Sequence, residues 1–316
     1  MKLKTKRILA SLGVVIALFI TLLVVLNLTY MRELDIPSGL AGRHIEFDGF
    51  TLRVAESGTG DQAVLLVHSS LGSLEDWETV VPLLDKKYRV IAIDRPGHGY
   101  SADPPAPSSV ALNARAVRGL ITKLGLKEVV VVGHSYGGTV ALKLAMEGLP
   151  ALKGVVLVAP GSSADFPPTM LDRLITAPWI GRGIVRVLLP VIGEASIRAG
   201  AMRSIHPNAD AMPKNFFAEH LPIWARPGPI RAHAEQAMIF DEELTAMVPA
   251  YPSIRIPVVV LQGDADALLP IRNGSAPLTR AIPGAELQTF ANTGHYLQYV
   301  HPAAVAEAVE RLYKKM

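Results

Sequence analysis

Cysteine is absent from the 316 residues. A disulfide-built scaffold and lipid attachment through a cysteine are therefore excluded, and an oxidising compartment is allowed but not required. Charge is sparse, at 19% of residues, while half of the chain is hydrophobic, which excludes disorder and a collagen-like chain. Internal repeats and low-complexity segments are lacking as well. The nine histidines include no His-Glu-x-x-His pattern and no Cys/His cluster, so neither a metal nor another cofactor is implied.

A broad basic face is also missing. The net charge is +3, with 31 Lys and Arg against 28 Asp and Glu, but Lys2, Lys4, Lys6 and Arg7 supply the excess, and the rest of the chain is close to neutral. Nucleic acid is thereby excluded as a partner. Behind that tail, Ile8 to Leu28 carries no charge, and as a helix it would span about 31 Å, the thickness of a bilayer hydrocarbon core. A cleaved signal peptide would have a shorter apolar run and a small-residue cleavage site, which Asn27-Leu28-Thr29-Tyr30-Met31 does not offer. A retained anchor is expected, and the cations before it keep the N-terminus cytoplasmic. The expected order is a tail (1–7), a transmembrane signal anchor (8–28) and a linker (29–43), with the remainder on the periplasmic or extracellular side. Asn27 formally fits a glycosylation acceptor but lies at the membrane edge and is read as chance.

From His44 to Ser57 apolar and polar residues alternate around Asp48-Gly49, a dipeptide suited to a tight hairpin. Apolar runs without alternation follow at 63–67, 89–93, 128–132, 154–158, 257–261 and 286–290, with helical stretches between them. Such runs read as strands covered on both faces. An antiparallel start leading into a mostly parallel eight-stranded sheet is expected, with helices on both faces. Between Val158 and Pro257 no convincing strand occurs. Met170 to Ile175, Gly183 to Leu189 and Ala232 to Phe240 read as short helices, so an inserted helical cap (161–253) is expected between two parts of an α/β core (44–160 and 254–316).

The strongest local signal is Gly133-His134-Ser135-Tyr136-Gly137, a G-x-S-x-G between a predicted strand and a predicted helix. That pattern lifts a serine onto a sharp turn at a helix N-terminus. A serine hydroxyl needs a base, and the base needs an orienting group. Downstream, one strand runs into Asp264-Ala265-Asp266 and another into Gly294-His295. Ser135 is the expected nucleophile and His295 the base. Of the two acids the motif position favours Asp266 over Asp264. The oxyanion requires donors placed in advance, for which the N–H of Tyr136, after the nucleophile, and that of Ser70, in the loop after an early strand, are expected. His68 and His134 flank the site and orient loops, while His206, His220 and His233 read as surface or packing residues.

These motifs, together with His68-Ser69-Ser70 and Asp94-Arg95-Pro96-Gly97-His98-Gly99-Tyr100-Ser101, resemble those of the α/β-hydrolase superfamily, in particular its serine esterases and lipases. The resemblance covers the chain from about His44 to the end. It implies an α/β-hydrolase fold, a cap that covers the pocket and selects the substrate, and a structural role for Asp94 to Ser101. Family members usually have His-Gly where this chain has His68-Ser69, and the added Cβ is expected to narrow or tilt the oxyanion loop. Haloalkane dehalogenases and epoxide hydrolases carry aspartate at the position of Ser135, so those activities are disfavoured. Hydrolysis of a small-molecule carboxylic ester is expected. The tether and the apolar cap point to a lipid-like ester such as a monoacylglycerol or a medium-chain ester, unless residues such as Trp179, Phe216, Phe217 and Trp224 only form the cap's own core. Cleavage of C–C bonds in ring-cleavage products, lactone opening and perhydrolysis would use the same three residues. A non-catalytic binding protein would be expected to have lost one of them.

Overall fold

Valine and isoleucine, stiff at χ1 and apolar, make the central strands, and alternate side chains leave each strand toward opposite faces. In the computed structural model, which describes residues 2–33, 42–162, 166–179, 181, 183, 185 and 193–315, this alternation divides the core in two. Leu65, Val129, Val131, Val155 and Leu157 pack on one face, and Val64, Leu66, Val130, Val132, Val156 and Val158 on the other. Each such side chain contributes roughly 1.5–3 kcal/mol by leaving water.

Eight strands form one sheet: β1 (Arg43–Phe47), β2 (Phe50–Ser57), β3 (Gln62–Val67), β4 (Arg89–Ile93), β5 (Glu128–His134), β6 (Leu152–Val158), β7 (Val258–Gly263) and β8 (Glu286–Phe290). Their spatial order is β1-β2-β4-β3-β5-β6-β7-β8. The first two strands pair antiparallel through the Asp48-Gly49 turn, where both residues have positive φ (48° and 86°), as a tight hairpin demands. From β4 onward all pairs are parallel.

The N-terminal helix α1 (Lys2–Glu33) is one continuous helix, five residues longer at its C-terminal end than the apolar run read from the sequence. Its Lys6–Val25 stretch has a mean hydropathy of 3.0 and is long and apolar enough to cross a membrane. The linker expected over 29–43 falls mainly outside the described residues.

Helices α2 (Val81–Leu84), α3 (Val110–Lys123) and α4 (Tyr136–Met146) connect the central strands. Between β6 and β7 the described residues contain no strand. They form α5 (Met170–Thr176), α6 (Glu194–Ile205), α7 (Phe216–Trp224) and α8 (Pro227–Met247), which is the expected helical cap. The helix read as Ala232 to Phe240 is thus 21 residues long. Its two prolines stand in the first turn, where a missing N–H costs nothing. The stretch read as Gly183 to Leu189 falls largely outside the described residues. After β7 come α9 (Ser275–Ala281), α10 (Leu297–Val300) and α11 (Pro302–Lys314).

Candidate active site

The elbow follows from local sequence. Strand β5 and helix α4 meet at Ser135, whose backbone is held at φ 53°, ψ −117°, a conformation that costs a non-glycine residue of order 1–3 kcal/mol. Glycines absorb the crowding around it: a Cβ on Gly137 would overlap the Val67 carbonyl, and one on Gly133 would overlap the Gly137 carbonyl. From Val129 to Leu142 Ser135 is the one residue that is not fully buried.

The loops after β7 and β8 bring Asp266 and His295 together. His295 Nδ1 lies 2.7 Å from Asp266 Oδ2, and both residues are buried, at 3% exposure. Gln262 Nε2 donates to the same Oδ2 at 2.8 Å, while the N–H groups of Leu268 and Leu269 donate to Oδ1. Burial pushes the Asp266 carboxyl up. The His295 ring and the two backbone donors outweigh burial and hold it below the usual carboxylate range. Asp264 is exposed and accepts instead from Asn292 N–H at 2.7 Å. Ser135 and His295 line one cavity of about 780 Å³. No hydrogen bond joins the two side chains among the described residues. Bonds of this kind commonly tighten only once substrate is bound.

Ser70 also lines that cavity. Neither its N–H nor that of Tyr136 has a protein acceptor among the described residues, so two backbone donors stand free beside Ser135. The departure at Ser69 is accommodated without a positive φ. Its carbonyl accepts from Arg95 NH2 at 2.6 Å and lies 2.8 Å from His68 Nδ1.

The segment from Asp94 to Ser101 braces this loop from behind. Asp94 accepts from the N–H groups of Leu74 and Tyr100, both at 2.8 Å, and from Arg53 at 3.1 Å. Burial, with Glu75 nearby, pushes its carboxyl up to about 6. Arg95, also fully buried, lies over the Tyr136 ring at 4.7 Å. Burial lowers its guanidinium to about 10, so it stays charged at neutral pH. His68 accepts from Arg95 N–H, and His134 Nε2 lies 3.0 Å from the His295 carbonyl. Burial drives both rings well below their usual range, which keeps them neutral.

The cap histidines differ from one another. His220 is buried in an aromatic cluster with Phe216, Trp224 and Tyr299, in keeping with a packing role. His233, read from the sequence as a surface or packing residue, lines the cavity, with Nδ1 2.7 Å from Ser70 Oγ. Asp172, also in the cavity wall, drew no notice in the sequence. Both belong to helices whose positions depend on long-range packing; no local motif marks His233, and the Thr169-x-x-Asp172 capping box that holds Asp172 signals only a helix start. The apolar cap residues divide likewise: Phe216 and Trp224 are buried, whereas Trp179 is fully exposed.

The profile of the family described as the alpha/beta hydrolase fold matches residues 62–302. The chain belongs to that family. The hydrolase is 28% identical over 296 residues to an uncharacterised protein of Mycobacterium tuberculosis, which covers 90% of this chain and 84% of that one. It is 25% identical to a 2-hydroxy-6-oxononadienedioate/2-hydroxy-6-oxononatrienedioate hydrolase of a Pseudomonas species, covering 79% of this chain and 87% of the relative. Among solved structures, an enol-lactonase from Burkholderia xenovorans superposes with a TM-score of 0.71 at 20% identity, covering 86% and 100% of the two chains. A thermophilic esterase from Thermogutta terrifontis does so with a TM-score of 0.68 at 22% identity, covering 87% and 98%. At these identities the structural likeness bears on fold alone.

Proposed function

We propose that this hydrolase is a membrane-anchored serine esterase, with Ser135 as nucleophile, His295 as base and Asp266 as the group that orients the imidazole. The observation that carries this reading is the buried 2.7 Å contact between Asp266 and His295, next to a strained serine in the same cavity. Asp266, acceptor-only, keeps the proton on Nδ1 and leaves Nε2 to take one from Ser135. Attack on an ester carbonyl forms a tetrahedral oxyanion that the Ser70 and Tyr136 N–H groups can stabilise. Proton return from His295 expels the alcohol and leaves an acyl-enzyme. Water, deprotonated by His295, then releases the acid.

Lipophilic esters suit a cavity lined by Leu71, Leu171, Ile175, Val185, Ile197 and Ile230. The apolar Lys6–Val25 helix would hold that cavity near a bilayer, with tail 1–7 cytoplasmic, span 8–28, linker 29–43, core 44–160 and 254–316, and cap 161–253. Cleavage of C–C bonds, lactone opening and perhydrolysis share the three residues. A dianionic substrate like that named for the Pseudomonas relative fits poorly, because Arg203 is the sole cation in the described cavity wall and Asp172 would repel it.

Labelling of the full-length protein by a serine-directed phosphonate, with loss of label and of p-nitrophenyl ester turnover in Ser135→Ala, is the expected result. Failure to label the wild type would sink the serine mechanism. An ester series with its optimum at acetate would remove the lipophilic substrate, and release of the protein from membranes by high salt would remove the anchor.

A further inference from the structure

One part of the cavity departs from its apolar character. Asp172 on α5 and His233 on α8 both line it, near enough for the carboxyl to act on the ring, and His233 is bonded to Ser70. Asp172 is 7% exposed and makes no ion pair among the described residues. Its Oδ2 accepts from the N–H and the hydroxyl of Thr169 at 2.8 and 2.6 Å. Its Oδ1 has no donor among the described residues, and Asp172 is part of the cavity wall.

The proton on His233 can be traced through its partners. Gln236 Nε2 donates to Ser108 Oγ at 2.8 Å, which turns Gln236 Oε1 toward Ser70. Ser70 Oγ donates its one proton to that oxygen at 3.1 Å. The hydroxyl oxygen, 2.7 Å from His233 Nδ1, is then left to accept from Nδ1–H. Burial keeps the ring neutral against the opposing pull of Asp172, so Nε2 carries a lone pair and no proton. It too has no protein partner among the described residues, and His233 is part of the cavity wall.

We propose that Asp172 Oδ1 and His233 Nε2 form an acceptor pair that binds a hydrogen-bond donor on the acyl chain, a hydroxyl or an amide N–H a few bonds from the scissile carbonyl. The enzyme thereby selects hydroxylated or amide-bearing esters over plain alkyl ones. The placement rests on the serine-esterase reading of the site, since His233 is bonded to the residue whose N–H would hold the oxyanion. Selection follows from unmade bonds: a plain chain strips water from both acceptors and returns nothing, whereas a hydroxyl or amide N–H returns one proton for the pair to share.

The test compares p-nitrophenyl esters of a 3-hydroxyalkanoate and of the plain alkanoate of equal length, with the full chain in detergent micelles. A kcat/KM ratio of at least about tenfold in favour of the hydroxylated ester is expected. His233→Asn keeps a short donor for Ser70 but does not reach the position of Nε2, and Asp172→Asn keeps an acceptor for Thr169 while turning the other acceptor into a donor. In both variants the ratio should fall to within about twofold of unity. A wild-type ratio at or below one, or a ratio that both variants retain, overturns the proposal. Calorimetry on Ser135→Ala with the corresponding hydroxyalkanoyl and alkanoyl amides separates the two readings. Selective binding of the hydroxy-amide without any wild-type ester turnover would remove the esterase reading and uphold the acceptor pair. Turnover of both esters at equal kcat/KM would do the reverse.

Discussion

The candidate site has two halves built in different ways. On the sheet side, Ser70, Ser135, Asp266 and His295 stand on loops that leave β3, β5, β7 and β8, and backbone geometry fixes them: a strained elbow, free N–H groups and short loops over a rigid parallel sheet. On the cap side, Asp172, His233 and Trp224 stand on helices held by side-chain packing and long-range hydrogen bonds, such as Glu243 to the Val110 N–H at 3.0 Å. The proposed chemistry lies with the first half, and most of the apolar cavity wall with the second. Substitutions on the sheet side should therefore abolish turnover of every ester, and those on the cap side should change which ester is preferred.

The largest effect should come from Ser135→Ala, with kcat for any ester reduced by about 10⁵-fold or more and the circular dichroism spectrum retained. A residual rate within tenfold of wild type would mean that the sheet side does not carry the chemistry. Asp266→Asn should lower kcat by about 10⁴-fold, because an amide no longer fixes the imidazole tautomer. Asp264→Asn should remain within about twofold, since Asp264 only caps the Asn292 N–H in solvent. Equal losses in the two variants would sink the assignment of the acid.

The division also explains what could be read in advance. Strands β3 to β7 were legible because runs of Val, Ile and Leu covered on both faces have few other uses, and the hairpin of β1 and β2 because Asp48-Gly49 suits positive φ. The elbow, the acid loop and the terminal histidine are each contiguous in sequence. His233 and Asp172 were not legible. They are 61 residues apart, the capping box around Asp172 speaks of a helix start and not of a cavity, and His233 gains meaning only where α8 crosses the loop holding Ser70. Trp179 and Trp224 look alike in composition, yet their burial is opposite, because burial depends on which helix face finds a partner.

Acidification tests both halves at once. Burial holds His68, His98 and His134 on the sheet side and His220 and His233 on the cap side below the usual imidazole range. Below about pH 6.5 the unfolded chain binds protons that the folded one refuses, so stability falls with falling pH by up to about 1.4 kcal/mol per group per unit. Asp94 works in the other direction. Its carboxyl, raised to about 6, takes up a proton in the folded state first and returns some stability as pH falls from 6 toward 4. Burial pushes the carboxyls of Asp76, Glu78 and Glu243 up as well, so they act with Asp94; the five rings outnumber these four carboxyls, so thermal midpoints should drop between pH 7 and 5.5, and a midpoint that rises across that range would contradict neutral buried rings. If the cap is the weaker half, amide exchange on α7 and α8 should accelerate on acidification before exchange on β5 and β6 does.

The finest distinction lies within the cap. Trp224 is 2% exposed against Phe216 and His220, with ring centroids 5.6 and 5.2 Å away, so Trp224→Ala should cost about 3–5 kcal/mol. Trp179, fully exposed at positive φ, has almost no contact to lose, and Trp179→Ala should change stability in micelles by no more than about 0.5 kcal/mol. A large indole left in water is nevertheless unfavourable unless something apolar covers it, and its amphipathic ring suits a headgroup boundary. Indole fluorescence of a Trp77→Phe, Trp224→Phe double variant, in which Trp179 is the remaining tryptophan, should shift to the blue when the full-length protein is moved from detergent into lipid vesicles. An unshifted spectrum would place Trp179 in water and separate this face of the cap from the bilayer that the N-terminal helix is proposed to enter.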